Sequence, residues 1–186
     1  QTIDATGADI VLNGGTSGGA SGLANYADIT LGTSNTTGSQ TVYAGSIAIN
    51  GGGNASSYGG AGFGAGNGRN QSFYVTGNLN MTGGASNAGS SSAYIGSQTG
   101  GGTIDVQVGG VVTLNGGTGT YGGVMIGSID DSLGATTVKL SAGKNIAATG
   151  GTGGVLLGVK SPGATGNIVD VRAGWDAAAG APSGQA

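Results

Sequence analysis

The ionisable side chains of this 186-residue chain are few, and the types that enzymes use most often are missing. The sequence has five Lys or Arg residues and eight acidic residues, all of them Asp, with no His, Cys or Glu. This composition excludes His-based nucleophilic triads, thiol chemistry, disulfides and zinc sites built on His or Cys. The remaining catalytic option is a carboxylate pair of the glycosidase kind, with carboxyl groups about 5–9.5 Å apart.

Two groups of Asp residues are candidates for such a pair. Asp105 and Asp170 lie at equivalent positions in a repeat defined below, two copies apart, and Lys139 lies between them. Stacked strands would place their backbones ~10 Å apart, at the limit of that geometry, and Lys139 is expected to pair with Asp170. Asp130 and Asp131 are typical of a solvated turn, and the Gly-Gly-x-Gly-x-Asp repeat of calcium-binding β-helices is absent. We predict no catalytic residue, no metal site and no cofactor, and expect that the chain is not an enzyme.

Tyrosines offer binding chemistry instead. Tyr26, Tyr58 and Tyr121 precede equivalent positions of the repeat, in a column completed by Ser90 and Thr152. Tyrosines spaced along one face can stack on sugar rings, which makes this column a candidate glycan site. Tyrosine also packs well between β-strands, so a structural role is the alternative.

A second column is apolar. Tyr94, Met125 and Leu156 follow Thr30 and Gly62 at an outward position of the repeat. Three exposed apolar residues on adjacent coils indicate a lateral contact stripe. Coverage by neighbouring loops, or ordinary scattered surface apolarity, is the alternative.

These columns follow from three short patterns that recur in a fixed order. Pattern A occurs at residues 10–15 (IVLNGG), 47–52 (IAINGG), 79–84 (LNMTGG), 112–117 (VTLNGG) and 146–151 (IAATGG). Pattern B occurs at 29–32 (ITLG), 61–64 (AGFG), 93–96 (AYIG), 124–127 (VMIG) and 155–158 (VLLG). Pattern C occurs at 41–45 (TVYAG), 73–77 (FYVTG), 106–109 (VQVG), 138–143 (VKLSAG) and 169–174 (VDVRAG).

The repeat predicts the fold. The last glycines of pattern B are spaced about 32 residues apart, and each pattern alternates with period two, as β-strands do. Three short strands per repeat, each stacked on its own copies, describe an all-β parallel β-solenoid of about five coils. The crossover rule favours a right-handed coil. We expect residues 1–186 to form a single solenoid domain that is a segment of a longer repeat or a stacking subunit.

The pattern is cut at both ends. Residues 1–7 match a preceding C strand, and residues 175–180 match a following A strand. Open strand edges template further strands, so end-to-end stacking through Thr2, Ile3 and Asp4 at one end and Trp175 and Asp176 at the other is expected.

The composition of the chain restricts the classes of partner that it could bind. A net charge of −3 with only five cations argues against nucleic acid, and no apolar run reaches the ~20 residues of a membrane span. Further copies of the chain are the expected partners, and surface glycans are the alternative.

The whole chain resembles the shaft repeats of filamentous-haemagglutinin-like proteins and other large bacterial surface adhesins. Residues 140–151 (LSAGKNIAATGG) and 75–84 (VTGNLNMTGG) carry the likeness: an apolar strand, a Gly corner, an Asn-led strand and then Thr-Gly-Gly. The resemblance implies an extracellular β-helical rod at the bacterial cell surface that serves adhesion, biofilm or surface structure.

Two further functions are weighed against the rod. A carbohydrate-binding, or less readily a carbohydrate-cleaving, β-helix would use an exposed face of Tyr and Asp. An ice-binding solenoid needs outward Thr ladders. The outward column of pattern A contains only one Thr among Val11, Ala48, Asn80, Thr113 and Ala147.

Overall fold

Each sequence pattern forms a strand, and each strand pairs with its own copies in the neighbouring coils. A computed structural model of the chain describes residues 1–16, 25–32, 38–53, 59–66, 68–87, 91–97, 99–176 and 181–182. Within these ranges the secondary structure is all β, without a helix, and three parallel sheets form a β-solenoid. The predicted fold class is confirmed. The same ranges contain no helix of the length and apolarity that a membrane crossing requires.

The sheets are named after the patterns. The C sheet contains β1 (Thr2–Ala5), β4 (Ser39–Ala44), β7 (Asn70–Val75), β10 (Gly102–Val108), β13 (Thr136–Ala142) and β16 (Ile168–Ala173). The A sheet contains β2 (Ile10–Asn13), β5 (Ile47–Asn50), β8 (Leu79–Thr82), β11 (Val112–Asn115) and β14 (Ile146–Thr149). The B sheet contains β3 (Ala27–Thr30), β6 (Ala61–Ala65), β9 (Ala93–Ser97), β12 (Val124–Asp130) and β15 (Val155–Ser161).

The core is a continuous column of apolar side chains that point inward from all three sheets. Phe63 of the B sheet and Phe73 of the C sheet are fully buried and meet edge to face, with ring centroids 5.2 Å apart. Leu79 and Leu114 contribute from the A sheet and are also fully buried. Burial of each such side chain stabilises the fold by ~1.5–3 kcal/mol, which offsets the ordering of a Gly-rich backbone.

Two buried glutamines interrupt the apolar lining of the C sheet. The Gln71 Nε2 atom donates to Gln40 Oε1 at 2.8 Å and to the Phe63 carbonyl at 3.2 Å. The Gln40 Nε2 atom donates in turn to Gln1 Oε1 at 2.9 Å. In the part of the chain that the structure describes, Gln71 Oε1 is the one buried side-chain polar atom without a partner. The result is an amide ladder inside the core, parallel to the axis.

The Gly-Gly pair that ends pattern A allows close contact between backbones. A Cβ atom added to Gly83 would overlap the Gly122 carbonyl oxygen, and one added to Gly117 would overlap the Gly84 carbonyl oxygen. The Gly117 N–H also donates to the Gly122 carbonyl at 2.7 Å, which closes the base of the loop that leads to the B strand. The repeated Gly-Gly is therefore a packing requirement at this corner.

The corner residue just before Gly-Gly forms the predicted column. Asn13, Asn50, Thr82, Asn115 and Thr149 pair in register through the A sheet. The Asn50 Nδ2 atom donates to Asn13 Oδ1 at 2.8 Å, so the first two coils share an amide hydrogen bond along the axis.

The first B strand differs from the predicted alignment by two residues. The sequence pattern pairs Leu31 with Phe63, but the structure pairs Ile29 with Phe63 and Asp28 with Gly62. A shift of one residue would turn the apolar side chains outward, whereas a shift of two keeps the same face inside. Apolar side chains alternate through this strand, so both alignments bury an apolar residue at the same point.

The prediction for the C-terminal segment is wrong. Trp175–Asp176 (β17) does not extend the A sheet but pairs antiparallel with Ala181–Pro182 (β18). The guanidinium carbon of Arg172 lies 4.5 Å from the centroid of the Trp175 ring, so the indole contacts a cation instead of entering the apolar column. The prediction for residues 1–7 is confirmed, because Thr2–Ala5 pairs with β4 in the C sheet.

Candidate functional site

The outer face of the C sheet carries a mixed set of charged, hydroxyl, amide and aromatic side chains. Strand alternation and register place them in two columns that run along the axis. The first column is Thr2, Thr41, Ser72, Asp105, Lys139 and Asp170. The second column is Asp4, Tyr43, Tyr74, Gln107, Ser141 and Arg172.

The ion pair on this face differs from the one predicted. Asp170 pairs with Arg172, two residues along the same strand, through Nε–Oδ1 and Nη2–Oδ2 contacts of 2.9 Å and 2.7 Å. The predicted partner, Lys139, lies on the adjacent strand. A guanidinium donates two parallel N–H bonds, one to each carboxylate oxygen, whereas an ammonium is a compact charge without this fork geometry. The hydrogen bond and charge of Arg172 lower the pKa of Asp170, with a further contribution from the Lys139 charge.

The two candidate catalytic carboxylates stay apart. In the strand register, Lys139 lies opposite Asp105 on one neighbouring strand and opposite Asp170 on the other. Two strand spacings therefore separate the two acids, as predicted. Asp170 is held by Arg172, and Asp105 accepts a 3.3 Å hydrogen bond from Gln107 Nε2. With this separation, Asp105 and Asp170 can accept hydrogen bonds from a ligand as individual groups.

Trp175 converts the end of this face into a shallow cleft of about 310 Å³. The outward side chains of β10, β13 and β16 form its floor, and the indole of Trp175 forms a wall. The cleft depends on β17 leaving the A-sheet position, which the repeat pattern does not predict.

Two stacked tyrosines continue the same face below the cleft. The rings of Tyr43 and Tyr74 lie 5.2 Å apart at centroid distance and are inclined by 17°. They are 39% and 38% exposed, so they remain accessible from solvent. These two tyrosines are not among the predicted binding residues, although TVYAG and FYVTG place them at equivalent positions of the repeat. Gln107, in the next coil, joins this pair to the cleft.

The B sheet brings two predicted tyrosines together. Asp28, and not Thr30, occupies the outward column with Gly62 and Tyr94. The Tyr94 hydroxyl reaches across Gly62 and hydrogen-bonds to Asp28. Burial raises the pKa of Asp28 while the bond from Tyr94 lowers it, and burial also raises the pKa of Tyr94. Repulsion between the ionised phenols of Tyr26 and Tyr94 raises the pKa of Tyr94 further, which places Tyr26 near this pair.

Of the two predicted columns on the B sheet, the apolar one forms and the tyrosine one does not. Tyr94, Met125 and Leu156 pair in register and are half-buried, so they do form one column. Tyr121 is 53% exposed but lies three residues before its strand, whereas Tyr26 directly precedes β3, so the two are not in one column. Tyr58 lies outside the described residues. Roles for these side chains in glycan or lateral contacts stay predictions.

The two ends of the solenoid form the second candidate surface. At one end, Val169 and Val171 of β16 are 49% and 44% exposed, whereas Val138 and Leu140 one coil below are 1% exposed. At the other end, Ile3 of β1 is half-buried, and Thr2 and Asp4 beside it are exposed. Trp175 belongs to the cleft, and Asp176 belongs to β17. Inward-facing core residues are therefore accessible at both ends.

Among the residues placed by the structure, no three metal-ligating side chains come together. Comparison with protein-family models, curated proteins and solved structures finds no match for this chain. The resemblance to adhesin shafts therefore rests on the repeat pattern and the solenoid fold.

Proposed function

We propose that the protein is an extracellular structural or adhesive rod whose solenoid units stack end to end into surface filaments or adhesin shafts. The regular coils, the low charge and the resemblance to adhesin shaft repeats support this role. The observation that carries the proposal is the exposed edge at each end of the C sheet, where none of the strands that the structure describes covers the core residues.

The two edges are complementary when the sheet register is continued. Every pair of neighbouring C strands is parallel, so a second copy whose β1 pairs with β16 extends the sheet without a change of pattern. In that register Val171 lies opposite Ile3 of the second copy, as Leu140 lies opposite Val171 within the chain. Apolar area exposed in the single unit is then buried.

The same register also brings opposite charges of the two copies next to each other. Arg172 and Asp4 belong to one outward column, so stacking places the Arg172 guanidinium next to Asp4 of the second copy. Opposite charges on adjacent strands favour pairing, and like charges oppose it. This match selects head-to-tail contact over contact between two identical ends.

The three sheets do not end at the same level along the solenoid axis. The C sheet has six strands and the A and B sheets have five, so β16 lies beyond β14 and β15 along the axis. The C sheet therefore carries the contact, and the repeat along the filament is six strand spacings per unit, or about 29 Å.

Charge and apolar variants test the stacking by sedimentation velocity over a range of concentrations. We expect the natural chain to form species larger than one unit. Val171→Lys should prevent this, because the side chain is 44% exposed in a single unit but buried in the stack. Asp4→Lys should weaken association, and Arg172→Asp in the same chain should restore it.

The matched control for the charge change is Asp105→Lys, which lies two strands from the edge and should not affect association. A natural chain that sediments as a single unit at every concentration would refute the stacking. So would equal association of the natural chain and the Val171→Lys variant.

A further inference from the structure

We propose that the cleft on the outer face of the C sheet binds a neutral saccharide that lies along the solenoid axis. One end of this site adjoins the β16 stacking edge, where Arg172 and Trp175 lie, and the site adds a ligand to the proposed rod. The cleft is lined by Asp105, Gln107, Lys139, Ser141 and Trp175, and Tyr74 lies next to Gln107 on the adjacent strand. The repeat pattern assigns Trp175 to end-to-end stacking and presents Asp105 only as a candidate catalytic carboxylate.

The dimensions fit a short oligosaccharide. Tyr74, Gln107, Ser141 and Arg172 occupy successive coils of one column, so Tyr74 and Arg172 are about 14 Å apart along the axis. Trp175 lies over Arg172 at that far end. The cleft volume of about 310 Å³ is at the lower end of small-molecule sites, which run from ~300 to 1,000 Å³. A chain of two sugar rings would therefore extend from one aromatic residue to the other.

Aromatic groups bound the site at both ends. Tyr74 stacks on Tyr43 of the coil before it, so the opposite side of its ring is directed toward the coil of Gln107. The Trp175 indole is half-buried and contacts Arg172, which fixes its orientation over the cleft. Aromatic faces pack against the C–H faces of sugar rings, and their rigidity limits the entropy lost on binding.

The charges favour a neutral ligand. Asp105 and Asp170 balance Lys139 and Arg172 in the lining. The Arg172 fork is already occupied by both oxygens of Asp170, so it is not free to clamp a sulfate or carboxylate. Lys139 lies between two carboxylates on adjacent strands. An anionic glycan would meet these carboxylates, whereas hydroxyl groups can bond to either charge.

The floor supplies the polar contacts that hydroxyl groups need. Gln107 presents an amide and Ser141 a hydroxyl, so both can donate and accept. Asp105 accepts from Gln107 Nε2 at 3.3 Å, a long bond that leaves the carboxylate able to accept from a sugar hydroxyl. Polar groups held on a rigid sheet fix the orientation of a ligand.

Trp175 is the sole tryptophan of the sequence, so its fluorescence reports on this cleft alone. Purified chain is titrated with maltose, cellobiose, lactose and N,N′-diacetylchitobiose, and separately with a sulfated heparin disaccharide. Because millimolar affinity is the weakest of interest, each titration extends to about 10 mM. We expect a saturable change in emission with at least one neutral disaccharide and none with the sulfated one.

Variants assign the response to residues and are measured by isothermal titration calorimetry. Gln107→Ala and Trp175→Ala should each weaken binding of the responding disaccharide by at least ~10-fold, because each removes a direct contact. Lys139→Gln should change it by less than ~3-fold. Tyr121→Ala, an exposed tyrosine outside the cleft, is the control and should have no effect.

Three outcomes would overturn the proposal. They are the absence of a saturable response to any of the four neutral disaccharides, binding of the sulfated disaccharide that Lys139→Gln abolishes, and neutral binding unaffected by Gln107→Ala and Trp175→Ala. The stacking variant Asp4→Lys should bind the disaccharide as the natural chain does, so failure of the rod proposal does not alter this result.

Discussion

Gly127→Ala tests the packing of the coils most sharply. Gly96, Gly127 and Gly158 form a column in the B sheet, with φ angles of +146°, +149° and +116°. L-residues with a Cβ rarely adopt such angles. A Cβ on Gly127 would also overlap the carbonyl oxygen of Gly158 in the next coil. Alanine at this position therefore disturbs both its own backbone and the pairing of β12 with β15.

The expected cost follows from these two effects. A side chain held at such an angle costs ~1–3 kcal/mol. Relief of the overlap separates two strands and weakens at least one ladder hydrogen bond, at ~0.5–1.5 kcal/mol. Replacement of glycine stabilises the folded state by ~0.4–1 kcal/mol through the unfolded chain. The net loss centres on about 2 kcal/mol, which lowers a urea midpoint by about 1 M for an m-value near 2 kcal/mol/M.

Urea unfolding followed by circular dichroism and by Trp175 fluorescence measures this loss. The control is Gly150→Ala, because Gly150 is exposed and a Cβ there meets no atom within 4 Å. The control should change stability by less than about 0.5 kcal/mol. Equal midpoints for Gly127→Ala and Gly150→Ala would refute the stated role of the glycine column.

Two further predictions concern ionisable groups. Hydrogen bonds to the Asp131 carboxylate lower its pKa below the ordinary 3.8. These bonds therefore stabilise the fold above pH 3.8, and the stabilisation is lost as the pH falls through the lowered pKa. Asp131→Asn should therefore flatten the loss of thermal stability below about pH 4, and an unchanged acid profile would contradict this. Tyr94→Phe removes a hydrogen bond that lowers the pKa of Asp28, so that pKa should rise further in a carboxyl ¹³C NMR titration, and an unchanged or lower value would contradict the contact.

The regular part of the fold could be predicted because every coil imposes the same requirement. An inward position must pack against its own copies above and below, so apolar residues recur at fixed spacing and mark each strand. Gly-Gly recurs at the A corners for the same reason, since close contacts there leave no room for a Cβ, except at Gly150 in the last corner, where a Cβ meets no atom within 4 Å. Such columns appear directly in the sequence.

Alternation does not fix register when a strand can shift by two residues. Ile29 and Leu31 both present an apolar side chain to the same face, and the glycine at position 32 suggested the wrong pairing. The error concealed Asp28 below Tyr94. Gln40 and Gln71 were missed although they alternate correctly with the apolar residues that follow, because polar side chains were expected to face outward.

The candidate cleft could be predicted only in part. Asp105, Lys139, Asp170 and Arg172 share a face because they occupy equivalent outward positions, which the pattern showed. The cleft itself needs Trp175 to leave the repeat and pack on Arg172, and a competition between an apolar column and a cation–π contact is not visible in the pattern. The same limit applies to the choice of Arg172 over Lys139 as the partner of Asp170.

The central claim is that units stack end to end through the C sheet, and cryo-electron microscopy of purified protein tests it directly. The account predicts thin filaments with an axial spacing of about 4.8 Å and a rise of about 29 Å per unit, with β16 of one copy beside β1 of the next. Discrete short rods, or filaments joined by contacts between their sides, would contradict it.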